Sequence, residues 1–130
     1  MGGVLLIDDD EDLLAAMGDL IAALGAAPVV ALRSLAELVD AAPRALRCEL
    51  AIVDVNLGAG VPTGLDVYEW LRARSFAGRV AFLTGHAINH PLVRRACRLG
   101  AARLYQKPIE LRDLVELLGV AAPRPLAHRR

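Results

Sequence analysis

Lysine is nearly missing from this chain: Lys107 stands alone against fourteen arginines. Aromatic residues are also scarce, 4% of 130 residues. Cys48 and Cys97 form no C-x-x-C pair, which reads as two buried free thiols in a cytoplasmic protein rather than a disulfide framework. Apolar runs are short, Val4–Ile7 ending after four residues at an acidic stretch, so no membrane span is expected. No basic residue precedes that run, which reads against a secretory signal. What is present suits one folded domain: 55% apolar and 23% charged residues exclude a disordered or collagen-like chain.

Net charge is zero but unevenly spread: residues 1–43 carry −7, residues 44–87 carry +1 and residues 88–130 carry +6. The basic end is dispersed and has few aromatics beside it, so nucleic-acid binding is not expected. Five acids are consecutive, Asp8 to Asp12, and a solvated face is the competing reading of such a run.

Short apolar runs alternate with stretches whose apolar residues recur at helical spacing. Val4–Ile7, Pro28–Leu32, Leu50–Val53, Val80–Leu83 and Leu104–Gln106 read as strands. Asp12–Leu24 reads as a helix stopped by Gly25. Ser34 and Glu37 suit a capping box for a helix over Leu35–Ala42. Thr63 suits the N-cap of a helix over Gly64–Arg74, in preference to a metal-ligating role with Asp66. Pro91 opens a helix to Leu99 closed by Gly100, and Ile109–Leu118 forms the last. Five such β–α units predict an α/β domain, a parallel sheet with helices on both faces. The domain is expected over residues 1–119, with 120–130 a flexible tail or a linker.

In an open parallel sheet, ligands bind beyond the carboxyl ends of the strands. Asp8 and Asp9 follow strand one, Asp54 follows strand three, Thr84 strand four and Lys107 strand five. Three carboxylates brought together repel one another, and a hard divalent cation relieves the repulsion. All-oxygen donors favour Mg²⁺ or Mn²⁺ over zinc, and no His or Cys ends a strand. His86, two residues past Thr84, reads as a rim or hydrogen-bonding residue. Lys107 is a compact point charge in an arginine-rich chain. With a cation and the Thr84 hydroxyl it would neutralise a phosphoryl group, which a carboxylate nucleophile can accept. Asp54, alone on the central strand, is the candidate.

These residues resemble a response regulator receiver domain, the CheY-like phosphoacceptor module of two-component signalling. The motifs are V-L-L-I-D-D-D at 4–10, A-I-V-D-V-N-L at 51–57, A-F-L-T-G at 81–85 and Q-K-P at 106–108. The resemblance implies a flavodoxin-like three-layer (βα)5 fold with strand order 2-1-3-4-5. It implies that Asp54 accepts phosphoryl from a histidine kinase or a histidine phosphotransfer protein. Asp9 and Asp54 would ligate Mg²⁺ directly, Asp8 through water, and Asn56 through its carbonyl. Thr84 and Lys107 would hold the phosphoryl oxygens, and the bond before Pro108 would be cis. A downstream protein target is implied, and homodimerisation is open, with Arg94, Arg95, Arg98, Arg103 and Arg112 on the face of the last two helices and strand five.

Two positions depart from the family pattern. The glycine expected eight residues after the phosphoacceptor is Gly64, ten residues on, which places a two-residue insertion in Gly58–Thr63. The switch aromatic three residues before the lysine is Leu104, with Tyr105 one later and so on the opposite face of its strand. Signalling is therefore expected to run through the loop after Thr84 and the Pro91–Leu99 helix without an aromatic gate. Two other functions compete: a pseudo-receiver that is only a docking module, and a small Mg²⁺-dependent phosphohydrolase. Against the latter, Asn56 stands where such hydrolases carry a second acid, on a different strand.

Overall fold

Five apolar runs pair side by side into one parallel sheet. The structure, a computed structural model, describes residues 2–25, 28–86, 90–99 and 103–119. Strands β1 (Val4–Ile7), β2 (Val29–Leu32), β3 (Leu50–Asp54), β4 (Arg79–Thr84) and β5 (Arg103–Gln106) lie in the order β2-β1-β3-β4-β5. The helices are α1 (Glu11–Ala23), α2 (Leu35–Asp40), α3 (Ala42–Ala45), α4 (Gly64–Ala73), α5 (Pro91–Arg98) and α6 (Leu111–Leu118). This is the flavodoxin-like arrangement expected of the resemblance. Among the described residues no helix is long and apolar enough to cross a membrane.

Side chains alternate along each strand and so divide the core in two. Leu5, Ile7, Ala51, Val53 and Phe82 pack with Leu38 of α2, Ala45 of α3, Leu71 of α4 and Ala96 of α5. Val4, Leu6, Leu50, Ile52, Ala81 and Leu83 pack with Ile21 of α1 and Leu114 of α6. Because both faces of β1 and β3 are covered, every residue of these strands is buried, and continuous apolar runs replace an alternating pattern. Leu104 joins the first cluster and Tyr105 the second, as alternation requires.

The structure amends several sequence expectations. The helix expected over Leu35–Ala42 ends at Asp40, and a separate turn, α3, follows with Pro43 in its first turn. Proline has no N–H to continue a helix but is compatible with starting one. At Ser34 the hydroxyl accepts the Glu37 N–H, but the Glu37 carboxylate passes the cap and accepts the Arg33 N–H at 2.8 Å. The Arg33 guanidinium, paired with Glu37 and Glu11, draws it there. Helix α1 begins at Glu11, capped by Asp10, whose carboxylate accepts the Asp12 and Leu13 N–H groups. Cys48 is buried, but Cys97 is exposed; it lies beside the buried Val93 and Ala96 stripe of α5, not on it. Gly100 and the segment 120–130 lie outside the described residues.

Candidate functional site

Parallel register carries the polar residues to one edge. Ile7 pairs with Val53, so the next residues, Asp8 and Asp54, come level on adjacent strands. Asp54 pairs with Leu83 and Thr84 with Gln106, which sets Thr84 and Lys107 one step further along the same edge. The Lys107 N–H donates to the Thr84 carbonyl at 2.8 Å, fixing the end of β5 against β4. The Lys107–Pro108 peptide bond is cis.

The lone lysine bridges two of the acids. Its Nζ lies 2.8 Å from Asp8 Oδ2 and 2.9 Å from Asp54 Oδ2. Asp54 Oδ1 accepts the Asn56 N–H at 3.2 Å, so both oxygens of Asp54 have a donor. Asp8 Oδ1 accepts the Asp10 N–H at 2.9 Å. Asp8, Asp54 and Thr84 are 5%, 6% and 1% exposed, while Asp9 is open to solvent. One carboxylate oxygen from each of Asp8, Asp9 and Asp54 lies within 4.8 Å of the others. Three hard oxygen donors at that spacing fit a small divalent cation of the Mg²⁺ or Mn²⁺ type, as the strand ends suggested. A cavity of about 250 Å³ opens over Asp9, Asp54, Asn56, His86 and Lys107, large enough for a phosphoryl group. The sequence-selected residues Asp8, Asp9, Asp54, Asn56, Thr84 and Lys107 thus gather at one edge.

Burial dominates the electrostatics. Desolvation pushes the Asp54 carboxyl up to about 6, opposed by the Lys107 hydrogen bond and reinforced by the charge of Asp8. Burial pulls the Lys107 ammonium down, but its hydrogen bonds to Asp8 and Asp54 and their charges outweigh this, so its pKa is raised. The consequence for stability has a definite sign. Asp54 rises from 3.8 to about 6 on folding, so near pH 5 the folded chain holds a proton that the unfolded chain has released. The stabilisation is complete below about pH 4 and lost as pH rises through about 6. Relative to Asp54→Asn, the unfolding free energy of the parent is expected to fall by on the order of 2–3 kcal/mol across that window. Urea denaturation from pH 4 to pH 8 without divalent cations checks this; a parallel pH course for both proteins would contradict it.

Other residues shape the site without having been selected for it. Gly64 donates its N–H to the Val55 carbonyl at 2.8 Å and presses against the Asp54 backbone. Thr63 caps α4 and forms a capping box with Asp66, which occupies both side chains away from any metal role. In the loop between β3 and α4, Gly58 adopts φ 126°, and its N–H donates to Asn56 Oδ1 at 3.0 Å. His90 is the N-cap of α5; its place directly before Pro91 was the available signal.

A family model described as the response regulator receiver domain matches residues 4–119. The chain is 32% identical over 127 residues to the photosynthetic apparatus regulatory protein RegA of Rhodovulum sulfidophilum, covering 94% of this chain and 66% of that one. It therefore spans slightly less than two-thirds of that relative. It is similar to a response regulator receiver protein from Burkholderia phymatum, with 26% identity, TM-score 0.74, and coverage of 95% and 100%. It is equally similar, at 26% identity and TM-score 0.74 over 91% of this chain and 66% of the other, to a Burkholderia pseudomallei response regulator. That structure contains a phosphorylated aspartic acid, a calcium ion and citrate.

Proposed function

Since the chain belongs to the response regulator receiver domain family, we propose that it is a phosphorylation-dependent switch whose phosphoacceptor is Asp54. The observation that carries this is the Lys107 bridge: one ammonium held between Asp8 and Asp54 at the mouth of a cavity. Such a site attracts a phosphoryl group to the single carboxylate on the central strand. Receiver domains are signalling modules and not enzymes of the turnover kind.

The donor is a phosphohistidine on a sensor kinase or phosphotransfer protein, whose P–N bond breaks as an Asp54 oxygen bonds to phosphorus. The proton needed by the leaving imidazole comes from solvent. Each Asp54 oxygen carries one donor, Lys107 on Oδ2 and the Asn56 N–H on Oδ1, and keeps a second lone pair with which to attack. Lys107 then follows the negative charge to a phosphoryl oxygen. The buried Thr84 hydroxyl, which now accepts the His86 N–H at 3.0 Å, turns to a second oxygen. Asp8, Asp9, Asp54 and the Asn56 carbonyl would hold Mg²⁺, or Mn²⁺ in its place. When bound, the cation supplies positive charge to the crowded carboxylates and phosphoryl oxygens.

Output passes to a downstream protein through the loop after Thr84 and α5. Support comes from β5: Tyr105 faces the α1 and α6 side of the sheet, away from the α4 and α5 side that Leu104 faces. Arg94, Arg95 and Arg98 of α5, Arg103 of β5 and Arg112 of α6 are all exposed, and a cationic surface running across these last elements would suit an acidic partner or a homodimer. Incubation with a small-molecule phosphodonor, with and without Mg²⁺, followed by intact mass, tests the reading. One phosphoryl adduct is expected with Mg²⁺, and none in Asp54→Ala. An unchanged mass under all conditions points instead to a docking module.

A further inference from the structure

His86 lines the cavity and stacks on a second imidazole, His90, and neither ring has a task in phosphoryl transfer. His86 Nε2 lies 3.0 Å from Asn56 Nδ2. The Asn56 amide has one sensible orientation, because its Oδ1 accepts the Gly58 N–H at 3.0 Å. Nδ2 therefore donates to His86, whose ring proton resides on Nδ1. The His86 ring stacks on His90, with centroids 4.3 Å apart and planes 27° from parallel. His90 in turn caps α5: its Nδ1 accepts the Leu92 N–H at 3.2 Å. Pro91 has no N–H, so Leu92 is the first donor of that helix needing a partner. A second tie runs from the His86 N–H to Thr84 Oγ1 at 3.0 Å.

We propose that His86 and His90 are positioning residues that strap the Asn56 side chain to the N-terminus of α5, so that a change at the pocket is felt in the first turn of that helix. This rests on the reading of Asp54 as phosphoacceptor only for what drives the motion. A phosphoryl group that draws Thr84 Oγ1 away releases one tie of His86, and a shift of Asn56 strains the other. Because the two rings are already in contact, a displacement of His86 toward His90 pushes the second ring with it. Moving His90 leaves the Leu92 N–H without its acceptor. Arg94, Arg95 and Arg98 ride on this helix and are exposed, so the shift alters a cationic surface.

The test uses amide NMR of the full chain. Asn56→Ala removes the side-chain amide but keeps the backbone carbonyl, and its effect is read at Leu92 and Arg94, across the stack. A clear displacement of the Leu92 resonance is expected in the parent, collapsing to within the line width when His86→Ala is also present. His90→Asn retains a capping oxygen without the ring; there too the Leu92 response to Asn56→Ala is expected to vanish while α5 stays capped. Equal displacement with and without His86, or an undiminished response in His90→Asn, overturns the strap. Intact mass after phosphodonor treatment of the same samples separates the two ideas. Coupling in a chain that never gains phosphoryl mass supports the strap and overturns the reading of Asp54. A phosphorylated chain whose Leu92 response ignores His86 overturns the strap alone.

Discussion

Gly64→Ala is expected to lower the unfolding free energy by about 3 kcal/mol, the upper range for overpacking by one methyl group. A Cβ at this position would overlap the Asp54 carbonyl oxygen and lie 2.9 Å from Val55 Cα. These neighbours are main chain, so no side-chain rotation relieves the clash. The backbone of β3 or the start of α4 must move, and the Gly64 to Val55 hydrogen bond is strained with it. Because the displaced residue is Asp54 itself, phosphodonor labelling is expected to fall along with stability. Urea denaturation and intact mass together check both halves. A variant that unfolds at the parental urea concentration and labels at the parental rate would show that α4 packs less closely on β3.

Lys107→Ala is expected to cost about 2–3 kcal/mol without divalent cations, somewhat below the loss from breaking a fully buried ion pair. The lower figure reflects the 24% exposure of the Lys107 side chain, against 7% for each carboxylate it bridges. Without the ammonium, Asp8 and Asp54 face each other and Asp9 unscreened, and proton uptake by Asp54 relieves only part of the repulsion. Mg²⁺ is then expected to stabilise the variant more than the parent, because in the parent the lysine competes for the same oxygens. Denaturation of both proteins in EDTA and in saturating Mg²⁺ gives the comparison. Identical Mg²⁺ increments in the two would place the cation away from Asp8 and Asp54.

The sequence announced its strands through residues that need no context. Val4–Ile7 and Leu50–Val53 are apolar at every position, and an acid follows each, so both the buried sheet and its polar edge were legible. Periodicity carries no register, however, and the strand order came from the resemblance. What stayed hidden depends on contacts between distant residues. The Arg33 guanidinium redirects Glu37 past its cap, and it is anchored by Glu11, 22 positions away. Gly64 is marked by the resemblance and by the Thr63 cap, but the reason a side chain is excluded there, its contact with the Asp54 backbone, exists only once α4 is laid on β3. His86 alone reads as a rim residue; its partners Asn56 and His90 are assembled only by folding. Cys97 shows the same limit: its residue type suits a core, but its place on α5 beside the buried Val93 and Ala96 stripe leaves it at the surface.

Possession of a single lysine gives the chain an unusual handle. Apart from the α-amino group, an amine-selective acylating reagent has one side-chain address, and that address is the bridge between Asp8 and Asp54. Its acylation rate therefore works as a built-in meter of whether that ammonium is clamped or free, readable by mass without any engineered label.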